Sequence, residues 1–352
     1  MKDEDSLVFG SNETNPLSSV LGPSTEALYH ELMPVSVRSG VSGTRIIWIK
    51  SGDAILAEPF YHQTLARLQA RMPPCVSTSL EWLIGQGGDA TFRKPAGFIF
   101  HMSRCGSTLV CNALKISEDV IVVAEAAPVL ELLTPSPPSM LPYPVMRWDE
   151  VRWKTLEGIL MALRSRSLGE NPRLIVKFAS WNATVLRLIR AWCPDVPCLI
   201  VIRDPLEVAV SNLSANSGWM AFYGSPDKLK RFFGWEFLDA PTVSREDYCA
   251  RLLGHLCTSM LRTDLTKCRV IDYDQLNPER LIAIRGFFGL QTTCEDEALI
   301  TSICATYSKD PMRSTPHVDD RAEKQRRASF MLREAVRTHA LSSYLQIRSL
   351  AV

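Results

Sequence analysis

What the chain lacks narrows it first. No run approaches the roughly 18 consecutive apolar residues that a membrane-spanning helix needs. The acidic start Met1-Lys2-Asp3-Glu4-Asp5 has none of the basic-then-apolar pattern of a secretory leader. A cytoplasmic protein with no membrane partner is expected. Neither sign of charge is in excess: 39 lysines and arginines face 38 aspartates and glutamates, a net +1. A general nucleic-acid partner, which needs a basic face, is therefore not expected, and any anion site has to be local. No CxxC pair occurs among the ten cysteines, and the six histidines do not fall beside them at zinc-finger spacing. Reduced thiols are the expectation, with Cys198, Cys249 and Cys257 lying in apolar stretches where cysteine behaves as a small hydrophobe. Internal repeats and low-complexity tracts are missing too.

What is present is a globular composition, with 46% apolar and 22% charged residues over 352 positions. Residues 1–45, rich in Ser, Asn, Gly and Pro, read as irregular. Ile46-Ile47-Trp48-Ile49 reads as a short strand, and Pro59 opens a helix with Leu65, Leu68 and Met72 on one face. Five prolines between positions 135 and 144 dictate a loop. The division expected is an N-terminal extension, residues 1–95, partly irregular and packed on the core, followed by a catalytic domain, residues 96–352.

From residue 97 a different pattern sets in. Short, nearly continuous apolar runs recur at Phe98-Ile99-Phe100, Val120-Ile121-Val122-Val123, Leu174-Ile175-Val176, Leu199-Ile200-Val201-Ile202 and Val270-Ile271. Runs of this length without alternation suit strands buried on both faces, and helical stretches lie between them. The fold class expected is α/β: a three-layer, P-loop-type fold with a central parallel sheet flanked by helices. Such sheets place ligands at the carboxyl ends of their strands.

At the end of the first run stands Ser103-Arg104-Cys105-Gly106-Ser107-Thr108, followed by an apolar-periodic helix. A strand, a tight turn with one glycine and a helix start form an anion cradle. Free N–H groups converge at the helix N-terminus, its dipole adds positive potential, and Gly106 lets the backbone approach closely. Arg104 adds a planar cationic fork. The lysine that a Walker loop requires after Gly106 is Ser107 here, which weakens a kinase or ATPase reading. A Cys-x5-Arg phosphatase would need arginine at 111, which is cysteine. The bland alternative is an ordinary turn capped by Ser103 or Ser107.

The fourth run leads into Arg203-Asp204-Pro205-Leu206-Glu207-Val208-Ala209-Val210-Ser211, a second candidate phosphate clamp with Arg203 at a strand end and Ser211 eight residues on. The two segments together, in this order and 99 residues apart, resemble the loops of sulfotransferases that use 3′-phosphoadenosine 5′-phosphosulfate (PAPS). The resemblance runs from about Gly97 onward and implies a sheet related to that of nucleoside kinases. It implies that Arg104, Cys105, Gly106, Ser107 and Thr108 hold the 5′-phosphosulfate, that Arg203 and Ser211 bind the 3′-phosphate, and that Tyr273, in Tyr273-Asp274-Gln275-Leu276, faces the adenine.

Two departures separate the chain from the phenol and steroid branch. Leu109 stands where that branch has an adenine-stacking tryptophan, and no Lys-x-His pair follows the third strand. The chain looks closer to the bacterial and protein-tyrosine branches, in which an arginine replaces the loop lysine and a glutamate follows 21 residues later, here Glu125. Lys177 resembles their strand-end lysine. The stretch from Tyr307-Ser308-Lys309-Asp310-Pro311 through Val318-Asp319-Asp320 to Gln325 resembles a loop of the bacterial branch. Made basic by Arg321, Lys324, Arg326 and Arg327, it is expected to cover the donor, with Lys324 in contact. The chemistry implied uses no metal. Arg104 and Lys177 stabilise the charge that develops, and Glu125, tuned upward by burial, acts as general base, with His101 as its competitor. The acceptor is expected to be a small molecule offering a hydroxyl or an amine. Trp219, Phe222, Tyr223 and Trp235 make the segment 214–241 aromatic, and residues 135–148 and the N-terminal 95 residues are further candidate acceptor regions. The alternatives are a P-loop kinase and an inactive, sulfotransferase-like binding protein.

Overall fold

In the computed structural model the described residues are 31–40, 43–52, 54–71, 73, 75–86, 92–133, 150–166, 171–215, 218–233, 243–310 and 314–351. Two sheets organise them. Strands β1 (Leu32–Gly40), β2 (Gly43–Lys50) and β3 (Cys75–Ser79) form an antiparallel sheet in that order. Strands β4 (Gly97–His101), β5 (Val120–Ala124), β6 (Arg173–Lys177), β7 (Cys198–Ile202) and β8 (Cys268–Asp272) form a second sheet, ordered β5-β6-β4-β7-β8, parallel throughout.

The parallel sheet follows directly from the apolar runs. Every residue of β4, β5 and β7 is buried, which is what a sheet covered by helices on both faces requires. The chain leaves central β4 towards β5 on one side and later returns to build β7 and β8 on the other. The carboxyl end of β4 is thus a topological switch point, where such sheets open a crevice. Three helices frame that crevice: α1 (Ser107–Leu114), α2 (Pro205–Ala215) and α3 (Arg321–Arg327).

Residues 1–30 lie outside the described residues, and within the stretch 1–45, read as irregular, the reading is corrected for Leu32–Gly40 by β1. Its Pro34, Ser36, Arg38 and Ser39 obscure the strand in the sequence, and a register shift between Pro34 and Ser36 breaks the alternation. Pairing to β2 nevertheless buries Leu32, Met33 and Val35. The small sheet is tied to the rest by polar bonds. Glu131 accepts from the Val37 N–H at 2.5 Å, Arg166 donates to the Leu32 and Gly52 carbonyls at 3.2 and 2.6 Å, and the Tyr61 hydroxyl donates to the Pro34 carbonyl. The helix Tyr61–Gln69 buries Leu65 and Leu68, as its spacing predicts. Met72 and the proline-rich segment 135–144 lie outside the described residues. No described helix is long and apolar enough to cross a membrane.

Candidate active site

The loop after β4 is held in an uncommon backbone conformation. Ser103 and Arg104 have φ of 78° and 49°, and Gly106 has 82°. Only four non-glycine described residues have positive φ, and three of them (Ser103, Arg104 and Glu125) line one cleft. Side chains in the left-handed region cost free energy, and such positions concentrate at functional sites. Neither capping serine of the bland alternative is used: the residue before α1 is Gly106, with no side-chain cap, so the first N–H groups of the helix remain open to a ligand. A Cβ on Gly106 would come within 2.6 Å of Leu276 Cδ1 and 2.8 Å of Tyr273 Cδ2. Glycine is thus required both for the turn and for the approach of Tyr273 to the loop. The Cys105 thiol points away, donating to the Val201 carbonyl at 3.2 Å, and burial pushes its pKa up to about 11. Cys105 therefore offers the cleft its backbone rather than its sulfur. Ser107 and Thr108 are buried at the start of the helix, and the Arg104 guanidinium makes no ion pair among the described residues.

Strand ends β5 and β6 bring Glu125 and Lys177 together. Lys177 Nζ donates to Glu125 Oε1 at 2.6 Å, and the Glu125 N–H donates to the Lys177 carbonyl at 2.9 Å. His101, at the end of β4, completes the group. Its Nδ1 accepts the Ser103 N–H at 3.1 Å, which leaves the proton on Nε2, 3.0 Å from the Phe178 carbonyl and 3.5 Å from Glu125 Oε1. Burial and the nearby Lys177 lower the His101 pKa and keep the ring neutral. With one nitrogen accepting and the other donating inside the protein, His101 positions the loop and the carboxylate.

The upward tuning expected for Glu125 is reversed. Burial does oppose its charge, but the Lys177 ammonium and His101 outweigh it and hold the carboxyl below the usual range. The same pairing overcomes burial at Lys177 and holds its ammonium above the usual range. One of the three Lys177 donors is thereby committed to Glu125.

The second clamp lies at the ends of β7 and β8. Arg203, 4% exposed, donates from Nε to Glu207 at 2.7 Å and from Nη2 to Asp320 at 3.0 Å, and its guanidinium stacks 3.9 Å from the centre of the Tyr273 ring. Ser211, two turns into α2, is buried and lines the same cleft. Lys324, on α3, pairs with Asp320 at 2.7 Å. Burial holds its pKa below the ordinary lysine value although Asp320 counters it.

The clamp, the loop and the Glu125–Lys177 pair open on one cavity of about 690 Å³. Its further walls include Phe60, Trp181, Trp219, Lys309 and Asp320. Of these, Trp219 lies in a candidate acceptor segment, Phe60 in the N-terminal part that offered another, and Lys309 and Asp320 in the stretch expected to cover the donor, whereas the sequence did not single out Trp181. Phe60 precedes a helix of the N-terminal part, and Lys177 Nζ lies 4.8 Å from its ring centre. Of the other aromatic candidates, Phe222 and Tyr223 do not line the cleft. Phe222 stacks on Phe232 at 4.7 Å, the Tyr223 hydroxyl donates to the Val243 carbonyl at 2.8 Å, and Trp235 is outside the described residues. Segment 135–148 is likewise outside them.

Chemically, the cleft offers two cationic pockets with an aromatic ring beside one of them, and a carboxylate–ammonium pair beside the other. Compared with protein-family models and with curated proteins, the sequence has no match. Among solved structures, a sulfotransferase from Mycobacterium avium is similar at 14% identity and a TM-score of 0.41, over 78% of this chain and 82% of its own. A sulfotransferase from Alicyclobacillus acidocaldarius is similar at 13% and 0.35, over 72% and 99%. A mouse sulfotransferase complexed with PAP is similar at 13% and 0.36, over 77% and 86%. At this level of likeness the motifs and the geometry of the cleft, rather than the overlay, carry the functional reading.

Proposed function

We propose that the chain is a sulfotransferase that moves a sulfuryl group from PAPS to a hydroxyl or amine of a small-molecule acceptor in the cytoplasm. One observation carries the reading: two separate anion pockets, on loop 103–108 and on Arg203, Ser211 and Lys324, open on one cleft with Tyr273 stacked on Arg203. A nucleotide phosphorylated at both the 3′ and 5′ positions needs that pair of pockets, and a nucleoside triphosphate does not. The missing lysine after Gly106 points the same way.

In this reading the open N–H groups of α1, Ser107, Thr108 and Arg104 hold the phosphosulfate. Arg203, Ser211 and Lys324 hold the 3′-phosphate, and Tyr273 flanks the adenine. Residues 96–352 form the catalytic domain, and residues 1–95 complete the cleft through Phe60. As the bond from sulfur to the bridging oxygen breaks, its electron pair stays on that oxygen, and Arg104 and Lys177 stabilise the charge without a metal. Lys177 turning towards that oxygen loosens its hold on Glu125. The carboxylate then regains basicity as the acceptor gives up its proton. Charge development at the leaving group and base strength at Glu125 are coupled through one ammonium.

The test is to incubate the protein with PAPS and a panel of phenols, alcohols and amines, and to measure 3′,5′-bisphosphoadenosine (PAP) and sulfated product. Stoichiometric appearance of both is expected. Phosphorylated product from ATP and Mg²⁺ in place of a sulfated one would establish the kinase alternative.

A further inference from the structure

Lys309 is none of the residues that hold the donor in the reading above, yet it lines the same cleft. The chain around it is a built arch. The Tyr307 N–H donates to the Thr315 carbonyl at 2.7 Å and the His317 N–H to the Ala305 carbonyl at 2.9 Å. The Asp310 carboxylate accepts the N–H and hydroxyl of Ser314, both at 3.0 Å, and those of Thr315 at 2.9 and 2.8 Å. Asn112, on the helix that starts at the phosphate loop, donates to the Ser308 carbonyl at 2.8 Å and fastens the arch to that helix. Lys309 is the next residue.

Its ammonium reaches the ring that Lys177 also faces: Nζ of Lys309 lies 5.7 Å from the centre of Phe60, and Nζ of Lys177 lies 4.8 Å from it. No hydrogen bond or ion pair among the described residues neutralises it, whereas Lys177 is bound to Glu125 and Lys324 to Asp320. Among the described residues, the charged and titratable groups that act on it most strongly are Arg104, Lys177, Glu125 and Cys105, all at the phosphosulfate end.

We propose that Lys309 is a third cation of the transfer centre, contacting the oxygens of the sulfuryl group in flight; this rests on the sulfotransferase reading. In the step, the sulfur–oxygen bond to the 5′-phosphate breaks with its electron pair leaving on the bridging oxygen. The acceptor oxygen or nitrogen forms the new bond to sulfur, and its proton passes to Glu125. Lys309 exchanges no proton; it offsets the negative charge on the sulfuryl oxygens while Arg104 and Lys177 serve the leaving group. Burial and the two neighbouring cations hold its pKa down to about 8. The donor, an anion, raises that value when it binds.

The experiment compares wild type, Lys309→Met and Lys309→Arg in single-turnover transfer and in calorimetric binding of PAP, which lacks the sulfuryl group. Lys309→Met is expected to bind PAP within about twofold of wild type while its transfer rate falls roughly a hundredfold, the loss typical of one preorganised transition-state donor. Lys309→Arg is expected to recover most of the rate. In wild type, kcat/KM falls as pH rises through about 8, because the cation is lost, and the arginine variant moves that limb upward. Wild-type transfer with an undiminished Lys309→Met rate overturns this inference alone. So does a parallel loss of PAP affinity and rate, which marks a merely structural lysine. A wild-type protein that binds no PAP overturns both this inference and the reading beneath it.

Discussion

The carboxylate of Asp320 lies between two cations of one clamp, 3.0 Å from Arg203 Nη2 and 2.7 Å from Lys324 Nζ. An anion of the protein's own thus occupies the place that the 3′-phosphate takes in the proposed complex. Phosphate binding has to displace it. Asp320→Asn is therefore expected to tighten PAP binding. The Asp320 side chain is 43% exposed, so solvent screening limits each pair to under about 1 kcal/mol, and the gain to roughly two- to fivefold. Weaker binding by calorimetry would show that Asp320 instead organises the clamp.

Glu125→Gln tests the coupled pair. It removes the proton acceptor and strands the buried ammonium of Lys177, whose side chain is 2% exposed. Single-turnover transfer is expected to fall roughly a hundred- to ten-thousandfold, and stability by about 3 kcal/mol. The folded-state pKa of Glu125 is depressed, so its contribution is complete above the ordinary carboxylate pKa and is lost only as pH falls through the folded value. The stability gap between wild type and variant should be flat from about pH 6 to 8 and close only in strong acid. Adding Lys177→Met should restore stability without restoring transfer. A double variant as unstable as the single one would contradict the stranded-charge account.

Arg104→Ala separates catalysis from folding. The guanidinium makes no ion pair among the described residues, so its loss should leave the thermal midpoint unchanged. Turnover should fall about a hundred- to a thousandfold. A folded variant with full turnover would remove Arg104 from the chemistry.

Gly106→Ala puts a methyl group 2.6 Å from Leu276 Cδ1 and 2.8 Å from Tyr273 Cδ2, at a φ of +82°. Strain and overlap together should cost about 1–3 kcal/mol of stability. Because the displaced ring is the one stacked on Arg203, PAP affinity should drop as well. Unchanged affinity would mean that Tyr273 does not contact the nucleotide.

The five parallel strands are legible because a strand buried on both faces writes an almost uninterrupted apolar run, as Cys198-Leu199-Ile200-Val201-Ile202 does. Strand β1 is hidden because Pro34, Ser36, Arg38 and Ser39 break both continuity and alternation, and its pairing to β2 is a tertiary fact. The loop 103–108 and the segment from Arg203 to Ser211 are legible because anion binding needs local backbone geometry at one strand end. The parts of the site that arrive from distant segments carry weaker marks, which give the segment but not the side chain that reaches the cleft. Phe60 comes from the N-terminal part, Lys309 from an arch whose placement depends on bonds such as Asn112 to Ser308, and Asp320 from the start of α3. The direction of the Glu125 shift was not legible either, since spacing gives the carboxylate but not the 2.6 Å contact with Lys177 that decides it.

The most direct measurement is calorimetric titration of the protein with PAP and with 5′-AMP in the absence of magnesium. The two ligands differ only in the 3′-phosphate that Arg203, Ser211 and Lys324 are proposed to hold. Charge-assisted hydrogen bonds contribute roughly 1.5–3 kcal/mol each, so PAP should bind at least about tenfold more tightly than 5′-AMP. Arg203→Ala should erase that difference while leaving 5′-AMP binding in place. Equal affinities for the two nucleotides in the wild-type protein would contradict the account.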